Sequence, residues 1–112
     1  MTLRPAYLAS VCSLVLPATV FGLETPLFEK DVRPILKAHC FHCHGEEGEP
    51  KAGLDLRLAR FLVKGGESGP ALIAGKPAES HLLELLKSGE MPKEKSKLSD
   101  RDIATIEQWI LA

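Results

Sequence analysis

Cys40-Phe41-His42-Cys43-His44 decides the reading of this chain. Two cysteines three positions apart, followed at once by histidine, form the C-x-x-C-H pattern of covalent haem attachment. Each thiol can add to one porphyrin vinyl group and form a thioether. The three-residue step lets both sulfurs reach the same edge of the ring. His44 then follows beneath it and offers an imidazole nitrogen to the iron. Two other chemistries use such cysteines. Thiol-disulfide sites place C-x-x-C at the start of a helix after a strand, whereas here the motif is expected to end a helix. A zinc module needs a second ligand pair at finger spacing, and the sequence offers none.

Upstream, Phe28, Val32, Ile35, Leu36 and His39 recur at helical spacing and predict a helix over Phe28 to Cys40. Thr25-Pro26 is expected to cap it. Pro34 removes a backbone donor, so the helix either kinks there or becomes regular near it. Downstream, Gly45 to Gly53 reads as a polar loop, and Leu54 to Leu58 alternates as a short extended stretch. A helical turn is expected over Leu58 to Lys64. Gly65 to Pro70 and Gly75-Lys76-Pro77 are breaker clusters. A second helix is predicted from Ala78 to Lys87, with Leu82, Leu83, Leu85 and Leu86 inward and Ser88-Gly89 closing it. Ser99 is expected to cap the last helix, with Asp100 and Asp102 in its first turn. Ile103, Ile106, Trp109 and Ile110 form its apolar face, and Trp109 is expected to pack against Phe28, Val32 and Leu36. These helices carry little apolar area of their own, and a buried haem would complete the core.

Iron held by His44 needs a second axial donor. Met91, the only methionine besides Met1, stands in the loop Gly89-Glu90-Met91-Pro92 and is the expected sixth ligand. His81 is the runner-up. His42 is expected to face solvent, and His39 to be packed or hydrogen-bonded. Arg57 or Arg60 could pair with a haem propionate, or remain a surface arginine.

The N-terminal segment reads as an export signal over residues 1–22, ahead of a haem domain over 23–112. Arg4 gives a basic start, Ala6 to Phe21 is apolar or small, and acid begins at Glu24. Cleavage after Gly22 or Ala18 would suit. Pro5 to Leu23 lacks charge and approaches the roughly 20 residues that span a bilayer, so the alternative is a retained anchor. Cys12 lies inside this stretch behind Val11 and is read as a signal residue, not a lipid site. Loss of the signal removes Arg4 and no acid, leaving a balance one unit more negative than the −1 of the whole chain. That balance gives no footprint for nucleic acid. Lys93, Lys95 and Lys97 form a short basic run, a solvated loop or a docking patch for an acidic redox partner.

An ordered series of segments extends this reading. It runs Asp31-Val32-Arg33-Pro34-Ile35-Leu36, Cys40 to Gly45, Leu54-Asp55-Leu56-Arg57 and Gly65-Gly66. It continues with Gly69-Pro70-Ala71-Leu72, Gly75-Lys76-Pro77, Ser80 with Leu82, Met91-Pro92, Leu98-Ser99 and Trp109-Ile110. In this series the chain resembles the short planctomycete-type cytochrome c domain, a class I cytochrome c-like module. The resemblance implies an all-α fold of three to four helices and loops around one covalently attached haem c. First and last helices would cross, with the haem between them and the methionine loop. It further implies that the Pro70 carbonyl accepts the free ring N–H of His44. In that family the domain is often fused to larger proteins, whose activities are not carried over here. The expected function is an exported, periplasmic, monomeric electron carrier and not an enzyme. Cys40, Cys43, His44, Met91 and Pro70 would hold the cofactor, with His44 and Met91 on the iron. Its partners would be redox proteins, with a membrane involved only if the anchor is retained. A haem-based redox or gas sensor, or an accessory domain of a larger oxidoreductase system, is the alternative.

Overall fold

The computed structural model describes residues 2–3, 5–6, 9–15, 24–94 and 96–112. Both expected cleavage positions, after Ala18 and after Gly22, lie outside the described residues, as does Lys95 of the basic run. Among the described residues no helix is long and apolar enough to cross a membrane.

Extended backbone at Leu27 (φ −101°, ψ 141°) gives way to a wide π-type turn, Phe28–Val32, which runs into α1, Arg33–His39. The start is held from inside: the Asp31 carboxylate accepts from the Leu27 N–H at 2.8 Å. Thr25 and Pro26, expected as the cap, precede it without a capping role, because Asp31 already satisfies the exposed donor. Pro34 falls in the first turn of α1, where a missing N–H is tolerated. The wider five-residue hydrogen bonds just upstream, Val32 to Leu27 and Arg33 to Phe28, take up the change of pitch. Val32, Leu36 and Cys40 follow at four-residue intervals and are all buried.

Beyond the attachment motif come a 3₁₀ turn at Lys51–Gly53 and then α2, Ala59–Lys64. A second 3₁₀ turn, Pro77–Glu79, leads into α3, His81–Ser88, so the regular helix begins three residues later than the sequence suggests. Ser80 Oγ explains this. It donates to the Lys76 carbonyl and accepts from Ile73 N–H, fastening the turn ahead of the helix. Leu82, Leu83 and Leu86 of α3 are buried, while Leu85 is only half-buried. Gly89 ends α3 in the left-handed region, φ 79°.

The last helix, α4 (Asp100–Leu111), is capped as expected: Ser99 Oγ accepts from Asp102 N–H at 3.1 Å. Its Ile106 and Ile110 join Val32, Leu36, Leu83 and Leu72 in one core. Trp109 meets Phe28 with ring centroids 5.1 Å apart, which fastens the final helix to the start of the first. Lys87 and Glu107 tie α3 to α4 at 3.0 Å. Among the described residues the only β-type pairing is an isolated bridge between Gly66 and Gly69, so the architecture is helical, as expected.

Candidate functional site

The turn after α1 carries the attachment motif. Cys40 N–H closes the helix on the Leu36 carbonyl at 2.7 Å, and His44 N–H reaches the Cys40 carbonyl at 2.9 Å. Helical pitch thus continues through the motif and stops at His44 (φ −115°, ψ 54°). Gly45 then reverses the chain at φ 147°, a conformation open to glycine and costly for any residue with a side chain. Phe41 is fully buried beneath the Arg33 guanidinium, 5.3 Å from its ring centroid, and anchors the motif in the core.

The two thiols differ. Cys40 is buried and Cys43 exposed, and neither is in a disulfide. Burial, then the neighbouring Cys43 and Glu94, push the Cys40 thiol up to about 11. Cys40 is therefore held in its neutral thiol form by its surroundings. Among the described residues no three His, Cys, Asp or Glu side chains gather as a metal-binding set.

Cys40, Cys43, His44 and Met91 line one cavity of about 420 Å³. Its size falls within the range of cofactor pockets, roughly 300–1,000 Å³. Leu54 and Leu56 form one wall, Leu82, Leu85 and Leu86 of α3 another, and Gly66 to Gly69 with Ala71 a third. Two thiols, an imidazole and a thioether converging on an apolar cavity fit a covalently held haem. A smaller open hollow of about 220 Å³ beside Arg60, Val63 and Trp109 has no such donors.

Met91 reaches the cavity because its loop is folded back on α3. Its N–H donates to the Leu85 carbonyl at 3.2 Å, while Gly89 N–H closes on Leu86. Pro92 behind it is buried, and Lys97 Nζ donates to the Pro92 carbonyl.

The partner of His44 differs from expectation. Its Nδ1 lies 3.0 Å from the Leu54 carbonyl, so Leu54, not Pro70, is the acceptor. Pro70 is exposed and does not line the cavity, though Gly69 and Ala71 on either side of it do. The reason is register. Leu56 N–H donates to the His44 carbonyl at 2.9 Å, which lays the extended Leu54–Leu56 stretch directly along the motif. A carbonyl can only accept, so His44 Nδ1 carries the proton and Nε2 keeps its lone pair for a metal. The alternation of Leu54-Asp55-Leu56 signalled extended backbone, which leaves carbonyls free, but nothing in it named this one.

The other histidines fall as follows. His42 is exposed and stands 3.5 Å from Glu47, but it also touches the cavity rim. His39, half-buried, and His81, exposed and 3.6 Å from Glu84, both reach the cavity wall. Neither Arg57 nor Arg60 lines the cavity, contrary to the propionate-pairing option. Asp55, two residues away, claims the Arg57 guanidinium at 2.7 Å, and Arg60 stacks on Phe61. Among the described residues, Lys51 and Lys93 are lysines on the cavity wall.

The family model described as planctomycete cytochrome C matches residues 40–95, from the first cysteine of the motif to just past Met91. No curated protein and no solved structure matches the chain.

Proposed function

The chain belongs to the planctomycete cytochrome c family, and on that premise we propose that it is an exported carrier of single electrons. The observation that carries the reading is the single apolar cavity shared by Cys40, Cys43, His44 and Met91. A c-type haem bound there supplies the one-electron iron couple. Cys40 and Cys43 would hold it by thioethers. His44 offers Nε2, with its ring oriented by the Leu54 carbonyl. Met91 would offer its thioether, and a soft sulfur ligand raises the reduction potential relative to a second nitrogen. The leucine walls exclude water, while exposed Cys43 marks an edge open to exchange with a partner. If His44 and Met91 both bound the iron, no ligand site would remain for a substrate, which favours transfer over catalysis. The acidic balance of the chain disfavours nucleic acid as a partner. The N-terminal segment fits delivery to the periplasm, where a monomer would meet redox partner proteins. Membrane contact would arise only from an uncleaved segment.

Absorption spectroscopy and intact mass of the matured, exported protein test this. A covalent c-type spectrum and the mass of one added haem are expected. The mass of the bare polypeptide would overturn the proposal. Met91→Ala should abolish the sulfur-to-iron band at the red end of the ferric spectrum, and its retention would remove Met91 from the iron.

A further inference from the structure

Arg57 binds Asp55 by a planar fork: Nη2 to Oδ2 at 2.7 Å and Nε to Oδ1 at 3.0 Å. The Arg57 N–H also donates to Asp55 Oδ1 at 3.0 Å, so three donors of one residue grip one carboxylate. That carboxylate sits between Leu54, whose carbonyl meets His44 Nδ1, and Leu56, whose N–H meets the His44 carbonyl. The stem of Arg57 meanwhile lies on Gly45: a Cβ there would come within 2.7 Å of Arg57 Cγ and Nε. The Arg57 carbonyl is held in turn by Arg33 Nε of α1 at 3.3 Å. One residue therefore spans the extended stretch, the reversal after His44 and the helix that delivers the motif.

We propose that Arg57 is a positioning residue, which through Asp55 and Gly45 fixes the Leu54 carbonyl against His44 and so tunes electron donation to the iron. The proposal rests on the haem reading above. A hydrogen bond from Nδ1 makes imidazole a stronger donor and favours ferric iron. Loosening the Leu54 carbonyl should then favour ferrous iron and raise the reduction potential. Charge alone acts in the opposite sense: removing a cation near the site stabilises the ferric state and lowers the potential. The sign of the shift in Arg57→Gln separates the two. An ordinary exposed ion pair would contribute only about 0–1 kcal/mol of stability and leave His44 untouched.

The test is a redox titration of the haem-loaded parent, Arg57→Gln and Arg57→Lys, with NMR exchange of the His44 ring N–H in the reduced state. Arg57→Lys keeps the charge but cannot form the fork. Both variants should raise the ferrous-to-ferric ratio at fixed poise, about threefold, less than direct loss of the ligand's own partner would give. The His44 ring proton should exchange with solvent faster in both. An unchanged or lowered potential with unchanged exchange overturns the proposal. Should Arg57→Gln fail to mature, Arg57→Lys gives the deciding values. A parent without haem would instead overturn the function proposed above, and this inference with it.

Discussion

One added methyl group at Gly45 tests the turn that follows His44. Gly45 holds φ 147° and ψ −37°, where an L-residue is strained by about 1–3 kcal/mol. Its Cβ would lie 2.7 Å from Arg57 Cγ, well inside the 3.4 Å at which ordinary contact begins. The Arg57 stem must retreat and release its fork on Asp55, an exposed pair worth about 0.2–1 kcal/mol. Against this, alanine restricts the unfolded chain and returns about 0.4–1 kcal/mol. The balance for Gly45→Ala is a loss of about 2 kcal/mol, or a fall in Tm of roughly 8–16 °C for a domain of this size. Gly48→Ala is the matched control. Gly48 also has positive φ, 59°, but nothing stands within 4 Å of its Cβ position. Handedness there costs about 1–2 kcal/mol, and with the same unfolded-chain gain subtracted the net loss should be about 1 kcal/mol or less. Urea and thermal melts followed by circular dichroism on haem-loaded protein give both values. If Gly45→Ala lost less than about 0.5 kcal/mol, or left the Arg57–Asp55 fork intact in a new structure, the account of this turn would be wrong.

Two further outcomes concern the α4 cap and the Asp55 carboxylate. Ser99→Ala removes the oxygen that accepts from Asp102 N–H and should destabilise the fold by about 1 kcal/mol, read from the urea midpoint; no change would mean α4 needs no cap. The side-chain hydrogen bond from Arg57 lowers the Asp55 pKa below its ordinary value of 3.8. An acid with a lowered folded pKa stabilises the native state fully above its unfolded value and loses that contribution as pH falls through the folded one. Asp55→Asn should therefore flatten the decline in Tm below about pH 4, and an acid limb identical to the parent's would refute it.

Much of the site could be read in the sequence because its chemistry lies in side chains at fixed spacing. Cys40, Cys43 and His44 share one helical turn, so their convergence is local. Met91 was identifiable by scarcity, since no other internal methionine competes. Ser99 and Gly89 are terminal residues whose roles depend on their nearest neighbours. The choice of Leu54 over Pro70 was hidden for the opposite reason. Any residue can present a carbonyl, and which one meets His44 depends on how a loop of ten residues lies against the motif. Register of that kind leaves no mark on residue type. The Asp31 cap was hidden too, because a carboxylate bonding back by four residues looks like an ordinary acidic first turn.

The bond from Met91 N–H to the Leu85 carbonyl makes the sulfur a rider on α3 and not the property of a free loop. Lifting it would mean breaking a helix-end contact or dragging Leu82, Leu83 and Leu86 from the interior. Lys93 and Glu94 sit beyond that tether, at the solvent rim. The charge of Lys93 can therefore change at the surface while the inner wall, fastened through Leu85, keeps its shape.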